Sequence, residues 1–272
     1  MLPLFAGYGG SVSSLVLRDG ALQASYFTRK GRLQTRVERG KQRPLLFADS
    51  VWPGSLVLAK YLAGHTASAL LSSSGAATTV LEMGAGEACL PSVAAIKTLA
   101  AAGAEYRAVV TDYPESSIFE NISEVLNHNS IQHSFVSADD NSMSPSTTPV
   151  AVTQLEWGSS SDEERVLSAN RGEHFDLILQ AECLWADTHG LHRKLLQSTR
   201  ALLKPSGTLL VCYADRDAPS YRACERNADF FRLAREEFGL ESRVLLTSQE
   251  YCDNDDSEQL PIEVKLVEMW FL

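Results

Sequence analysis

Two consecutive strand-and-helix units in the first half of the chain restrict the fold more than any other feature of the sequence. The first unit passes from a β-rich run at 78–83 through Gly84-Ala85-Gly86 into an apolar, alanine-rich stretch at 90–102. The second repeats the pattern with a strand at 107–112 and a helical stretch at 117–128. Strands that alternate with helices in this way are typical of βαβ units and of a mostly parallel sheet.

The rest of the chain extends the same pattern. Further strands are predicted at 150–155, 175–180 and 208–213, and two apolar runs follow at 243–247 and 262–271. The connection between the last two runs is short and not helical, so we expect an antiparallel pair. The sequence therefore predicts an α/β fold with a Rossmann-like, seven-stranded, mostly parallel sheet, an antiparallel C-terminal strand and helices on both faces.

The domain organisation is predicted to be simple. Residues 1–40 form an N-terminal extension and residues 41–272 form one α/β domain. A basic stretch at 29–43 is interpreted as a solvated strand or loop, with contact to an anion or RNA as the alternative. Two segments rich in Ser and Asp, at 137–148 and 159–162, have no apolar period and are predicted to be surface insertions.

Charge and cysteine content limit the classes of partner. The formal net charge of −10 disfavours nonspecific attraction to nucleic acid or to an anionic membrane, whereas a basic protein would be attracted. No apolar run approaches the roughly 18 residues of a membrane span, and no leader sequence is evident. The five cysteines include no C-x-x-C pair that would indicate a metal site. We expect a monomeric cytoplasmic protein that binds neither membrane nor nucleic acid directly, and a nuclear location also fits.

The glycine loop and the end of the second strand indicate a nucleoside site. Gly84 and Gly86 let the backbone turn tightly and approach a ligand just before a helix. Asp112, at the end of the next strand, can accept both hydrogen bonds of a ribose diol, although an Asp there can also simply begin a turn. The third glycine of a dinucleotide fingerprint is replaced by Cys89, which argues against a dehydrogenase. Hydrolase and kinase motifs are absent from the sequence.

Five short blocks occur in order along the chain. They are Trp52-Pro53-Gly54, Val80-Leu81-Glu82-Met83-Gly84-Ala85-Gly86, Val110-Thr111-Asp112-Tyr113-Pro114, Leu155-Glu156-Trp157-Gly158 and Phe175-Asp176-Leu177-Ile178-Leu179. Together they resemble the lysine methyltransferase-like family of seven-β-strand methyltransferases. Within that family, Thr111-Asp112-Tyr113-Pro114 and Asp229-Phe230-Phe231 are most similar to the branch formerly described as nicotinamide N-methyltransferase-like. That branch contains N-terminal and lysine methyltransferases of translation elongation factor 1-alpha.

The resemblance implies a domain that binds S-adenosylmethionine and needs no metal. Trp157 is expected to pack against the adenine ring, although a Trp at this position is also common in hydrophobic cores. Transferred by matching position, the cofactor contacts fall on Trp52, Gly84, Ala85, Gly86, Asp112, Trp157 and Ala181. Glu82, at the start of the glycine-loop segment, is also predicted to belong to the cofactor site.

Three residues are candidates for the acceptor side of the site. Glu182 follows the fourth strand and is predicted to orient or deprotonate the acceptor amine; the family usually has Asp at this position. Glu182 can equally cap the next helix or pair with an arginine. Trp185 and Tyr213 are expected to form an aromatic wall, or else to belong to the core.

The predicted function is N-methylation of a lysine or an N-terminal amine of a protein, with elongation factor 1-alpha as the candidate substrate. Two alternatives stay open at this point. One is a small-molecule N-methyltransferase on the same fold, and the other is a catalytically silent interaction module that binds the cofactor.

Overall fold

A mixed β-sheet between two layers of helices forms the body of the molecule. The computed structural model describes residues 10–17, 22–29, 51–64, 77–137, 148–184, 186–215, 223–251 and 261–272. Among the helices in these ranges, none has the length and apolar character needed to cross a lipid bilayer.

The sheet has eight strands, and a separate hairpin precedes it. In chain order the strands are β1 (Gly10–Leu17), β2 (Leu22–Arg29), β3 (Thr78–Met83), β4 (Tyr106–Asp112), β5 (His133–Val136), β6 (Val150–Gln154), β7 (Phe175–Ala181), β8 (Leu203–Asp215), β9 (Leu240–Tyr251) and β10 (Pro261–Phe271). The order across the sheet is β5-β6-β4-β3-β7-β8-β10-β9. β10 runs antiparallel to both of its neighbours, and the pairs from β5 to β8 are parallel.

Helices cover both faces of the sheet. Side chains alternate along each strand, so Val80 packs in the core beneath α1, α2 and α3, and its neighbour Leu81 packs in the core beneath α4, α5 and α6. Burial on both faces explains why the inner strands are rich in apolar residues and do not alternate between apolar and polar ones. The helices are α1 (Pro53–Gly64), α2 (Leu90–Ala101), α3 (Ser116–His128), α4 (Ser160–Ala169), α5 (His192–Leu202) and α6 (Ala223–Phe238), with a short 3-10 helix at Ala186–Leu191.

The fold class predicted from the sequence is confirmed, with one strand more than expected. The predicted inner strands and the antiparallel C-terminal pair are all present. The additional strand, β5, pairs with β6 at the edge of the sheet. It is four residues long, and none of its side chains is fully buried, so it has no apolar pattern to recognise. The predicted insertion that follows it lies outside the described residues between 138 and 147.

The second predicted insertion, at 159–162, was wrong, because these residues begin α4. Ser159 is the N-cap, and its hydroxyl accepts a hydrogen bond from the amide of Asp162. Asp162 and Glu163 lie in the first turn, where acidic side chains favour the helix N-terminus. Ser and Asp are common both in loops and at helix starts, so composition alone did not separate the two.

The N-terminal hairpin packs on the helical layer that contains α2. Ala24 of β2 is fully buried in the core beneath α1, α2 and α3. Lys97 of α2 donates a hydrogen bond to the carbonyl of Gln23. Part of the predicted extension at 1–40 is therefore an ordered hairpin, and its boundary with the main domain stays a prediction. Beyond Arg29, the basic stretch lies outside the described residues.

Candidate active site

The carboxyl ends of β3, β4 and β7 meet at the centre of the sheet. β3 has β4 on one side and β7 on the other, so the chain direction across the sheet reverses at this point. Ligands of open α/β sheets bind in the crevice at such a reversal. Asp112 is the last residue of β4, and Gly84 and Glu182 directly follow β3 and β7.

The glycine loop is fastened to the neighbouring strand by backbone hydrogen bonds. The amides of Gly84 and Ala85 donate to the carbonyl of Thr111, at 3.1 and 3.0 Å. The amide of Gly86 donates to Oδ2 of Asp112 at 2.7 Å. The loop is therefore held in one position relative to β4, ahead of α2.

Gly84 lies too close to its neighbours to carry a side chain. Its φ is +71°, in the left-handed region, and an added Cβ would lie 3.0 Å from Sγ of Cys183 and 3.4 Å from the Trp157 ring. Trp157 is half-buried and also packs against the core beneath α4, α5 and α6. Glycine is thus needed for the backbone conformation and for the close approach of the two side chains.

Asp112 is buried where its carboxylate can face a ligand. Oδ1 accepts a hydrogen bond from the amide of Tyr113 at 2.6 Å, and Oδ2 accepts one from Gly86. Burial raises the pKa of Asp112 to about 6, although these two hydrogen bonds oppose the shift. Each carboxylate oxygen can accept more than one hydrogen bond, so the carboxylate retains capacity for a ribose diol. The chain bends at Tyr113 and Pro114, directly after Asp112, so the turn interpretation is compatible with this role.

Glu82 joins the end of β3 to the start of α2. Its side chain is 1% exposed, and Oε2 accepts a hydrogen bond from the amide of Ser92 at 3.0 Å. Ser92 is in the first turn of α2, where amides lack helical partners. Burial raises the pKa of Glu82 to about 8; hydrogen bonds from Ser92 oppose the shift, and the charge of Asp112 adds to it. Within the described residues, Oε1 of Glu82 is buried without a hydrogen-bond partner.

A carboxylate and a hydroxyl hold the loop that carries Trp157. Asp162, in the first turn of α4, accepts a hydrogen bond from the amide of Glu156 at 2.9 Å. The amide of Gly158 donates to the hydroxyl of Ser198 in α5 at 2.8 Å. The residues on both sides of Trp157 are therefore anchored to different helices, which fixes the loop beside Gly84.

Glu182 connects the end of β7 to the start of α1 and to β8. Its amide donates to the carbonyl of Cys212 at 2.7 Å, and its φ is +57°, which is rare for a residue with a side chain. Oε1 accepts from the amide of Gly54 at 2.8 Å, and Oε2 accepts from the amide of Ala214 at 3.4 Å. The capping interpretation therefore fits the geometry, but the capped helix is α1 and not the helix that follows.

The structure places the other predicted site residues at different depths. Trp52 is half-buried directly before α1, and its carbonyl accepts a hydrogen bond from Ser55. Ala181 is buried at the end of β7. Tyr213 is buried in the core beneath α4, α5 and α6, 5.7 Å from the Phe231 ring, so the core interpretation fits it better than an open wall. Trp185 lies outside the described residues.

Sequence reasoning missed a buried thiol at the centre of the site. Sγ of Cys183 donates a hydrogen bond to the carbonyl of Met83 at 3.2 Å. Burial raises the pKa of Cys183 well above its usual value, and the charges of Asp112, Glu82 and Glu182 raise it further. The negative charges at three strand ends therefore keep this thiol in its neutral form. No group of side chains suited to hold a metal ion occurs in the described part of the chain.

Comparison with known proteins supports the interpretation of this crevice. A family model described as lysine methyltransferase matches residues 42–237. A protein N-terminal and lysine N-methyltransferase, EFM7, from Yarrowia lipolytica is 27% identical and aligns over 79% of this chain and 72% of its own. EFM7 of Candida glabrata is 32% identical over 59% of this chain and 53% of its own.

Among solved structures, a putative RNA methyltransferase from Pyrococcus horikoshii is 10% identical and covers 80% of this chain and 81% of its own, with a TM-score of 0.47. That similarity is too low to support an argument about function. The family match, in contrast, includes α1, the glycine loop, Asp112, the Trp157 loop and most of α6. The methyltransferase family predicted from the sequence is therefore confirmed: this chain belongs to the lysine methyltransferase family.

Proposed function

We propose that this protein transfers a methyl group from S-adenosylmethionine to a nitrogen atom of another protein, either a lysine ε-amine or an N-terminal α-amine. The observation that carries the proposal is the combination of a fastened glycine loop with two buried carboxylates, Glu82 and Asp112, at one crevice. The relatives named as protein N-terminal and lysine N-methyltransferases support the choice of a protein acceptor.

The described residues fit the cofactor. Oε1 of Glu82 is a buried acceptor with no partner among the described residues, and it suits a positively charged donor such as the cofactor's ammonium group. Asp112 has acceptor capacity for the ribose hydroxyls. Trp157 offers an aromatic surface beside Gly84 for the adenine ring. Burial raises the pKa values of Glu82 and Asp112. The ammonium and hydroxyl groups of a bound cofactor would oppose this increase.

The reaction makes modest demands on the protein. When bound, the cofactor supplies an electrophilic methyl group on a sulfonium ion. The protein must align the lone pair of the acceptor nitrogen with that methyl group and exclude water. A lysine, with an ordinary pKa near 10.4, must first lose its proton, whereas an α-amine near 7.7–8.0 is partly neutral at physiological pH.

Elongation factor 1-alpha is the favoured substrate within this proposal. Thr111-Asp112-Tyr113-Pro114 and Asp229-Phe230-Phe231 resemble the branch that methylates it. The aromatic pair of the second motif packs with the core beneath α4, α5 and α6: Phe231 lies against Tyr213, and the Phe230 ring lies 5.2 Å from the His192 ring. The net charge of −10 agrees with a basic partner but does not select one. A cytoplasmic location and a monomeric state stay predictions.

Transfer of labelled methyl groups into a cell lysate tests the proposal against its two alternatives. The purified protein is incubated with tritiated S-adenosylmethionine and lysate, and proteins are separated from small molecules. A labelled protein band that disappears with the Asp112→Ala variant is the expected result. Label in the small-molecule fraction would favour a small-molecule N-methyltransferase, and no transfer would favour a silent cofactor-binding module.

A further inference from the structure

We propose that Glu182 is a positioning residue: its carboxylate fixes the Trp52-Pro53-Gly54 start of α1 against β8 and so places Trp52 at the cofactor. The inference rests on the proposed function, because it concerns the same site. It differs from the sequence prediction that Glu182 deprotonates the acceptor amine. In this assignment Glu182 affects the reaction through the cofactor and not through the amine.

The contacts of the carboxylate are the first argument. Oε1 accepts the amide of Gly54 from α1, and Oε2 accepts the amide of Ala214 from β8. Each oxygen is therefore engaged with backbone that belongs to a different element. Both oxygens are thus directed towards backbone amides, and a swing of the side chain towards a substrate amine would lengthen one or both of these contacts.

The position of the carboxylate at a helix N-terminus is the second argument. Gly54 is in the first turn of α1, where amides have no helical acceptor and carry partial positive charge. The Gly54 amide donates to Oε1 of Glu182 at this position. The surroundings of Glu182 therefore match those of a helix-capping carboxylate.

The third argument is the fit between Gly54 and Glu182. A Cβ added at Gly54 would lie 2.7 Å from Oε1 of Glu182 and 3.0 Å from its Cγ, with the carbonyl of Cys212 also at 3.0 Å. The glycine of the Trp52-Pro53-Gly54 motif is thus required because Glu182 and β8 occupy the space of a side chain. Glu182 in turn adopts a φ of +57°, an unfavourable backbone conformation of the type that persists where surrounding contacts enforce it.

Glu182 influences cofactor binding through the position of Trp52. Trp52 directly precedes the capped turn, and its carbonyl accepts the amides of Ser55 and Leu56 at 3.0 and 3.4 Å. Its position is therefore set by the first turn of α1. When Glu182 no longer holds that turn, Trp52 is less well placed, and the affinity for the cofactor falls.

Two substitutions at Glu182 separate the positioning role from general-base catalysis. Glu182→Ala removes both acceptors and is expected to raise the Kd for S-adenosylmethionine about tenfold or more; Glu182→Gln keeps one carbonyl oxygen and is expected to raise it about threefold. The pH profile of methyl transfer at saturating cofactor should match that of the wild type. The inference is overturned if Glu182→Gln leaves the Kd unchanged while kcat falls 100-fold and the pH profile flattens.

A double-mutant cycle with Gly54 tests the contact itself. Gly54→Ala is expected to raise the Kd because its Cβ collides with the Glu182 side chain, and Gly64→Ala, at the other end of α1 with nothing within 4 Å of the added Cβ, is the control that leaves it unchanged. Because Glu182→Ala removes two of the three crowded atoms, the double variant should bind better than the product of the single effects. Strictly multiplicative effects would overturn the inference.

The binding measurements test the role of Glu182 independently of the proposed methyl transfer. Cofactor binding by calorimetry needs no substrate, so the cycle remains decisive even if the wild-type protein methylates no protein. If Glu182→Ala fails to fold, Glu182→Gln and Gly54→Ala still decide through Kd, kcat and the pH profile.

Discussion

The amide of Gly86 donates a 2.7 Å hydrogen bond to Oδ2 of Asp112, so the carboxylate that ends β4 also shapes the loop that follows β3. This hydrogen bond joins the glycine loop to Asp112, the two parts of the predicted nucleoside site. A change at Asp112 alters both the ribose acceptor and the position of the glycine loop.

Replacement of Asp112 by alanine is expected to raise the Kd for S-adenosylmethionine roughly 100-fold, because it removes a charged acceptor and frees the Gly86 amide. The fold should survive, since the buried carboxylate is costly without its ligand. Calorimetry measures the affinity, and circular dichroism checks the fold. Glu120→Ala, on the exposed side of α3, is the control. Unchanged affinity in a folded Asp112→Ala protein would remove Asp112 from the cofactor site.

Trp157→Ala is expected to weaken cofactor binding about tenfold, because the indole is proposed to pack on the adenine. Fluorescence gives an independent measure, since the chain has only four tryptophans. Cofactor should quench the wild type and Trp270→Phe similarly, because Trp270 lies near the end of β10, beside the first half of β8 and away from the carboxyl ends that form the crevice. Trp157→Phe should be quenched less than the wild type, and the quenching that is left is expected to come from Trp52. Equal quenching in Trp157→Phe would mean that Trp157 is only a packing residue.

Asp162→Ala is expected to lower both the free energy of unfolding and the cofactor affinity. Asp162 accepts hydrogen bonds from the Glu156 amide, the Gln154 side chain and Arg165, so its loss should cost about 2 kcal/mol. The Trp157 loop would then move more freely, and Kd should rise severalfold. Glu164→Ala, at an exposed position of α4, is the control for both measurements. Lower stability with an unchanged Kd would show that the loop anchor does not serve the site.

The buried pair Glu82 and Asp112 predicts how the stability of the cofactor-free protein depends on pH. Burial raises the pKa of Glu82 from 4.5 to about 8, so the folded state holds a proton that the unfolded state has lost. The stabilising contribution is complete below pH 4.5 and is lost as the pH rises through about 8. The melting temperature should therefore fall across this window, and Glu82→Gln should flatten the fall. A wild-type melting temperature that rises between pH 5 and 8 would contradict the pKa assignment.

The inner strands and the glycine loop could be predicted from the sequence because they depend on residues that are adjacent in the chain. An apolar run long enough for one strand, followed by Gly84 and Gly86, leaves few other conformations. The fold of the core and the position of Asp112 follow from the same regularity. β5 could not be predicted, because it has only four residues, none of them fully buried, and they do not alternate between apolar and polar side chains.

The contacts of Glu182 could not be predicted from the sequence for a different reason. Its partner Gly54 is 128 residues away in the chain, and no local pattern indicates a contact of that kind. The start of α4 shows a third limit, since Ser159 and Asp162 have side chains that suit a helix cap and a loop equally well. Sequence periodicity thus locates the crevice, whereas the contacts that position its side chains emerge only from tertiary packing.

Incubation of the purified protein with S-adenosylmethionine and unmethylated elongation factor 1-alpha, followed by peptide mapping in a mass spectrometer, tests the central claim most directly. The N-terminal amine or a nearby lysine of the factor should gain one or more methyl groups, and this gain should be absent with Asp112→Ala. Methyl groups only at other protein sites would refute the proposed position. No methylation of this or any other protein, by an enzyme that still binds the cofactor, would contradict the claim that the acceptor is a protein amine.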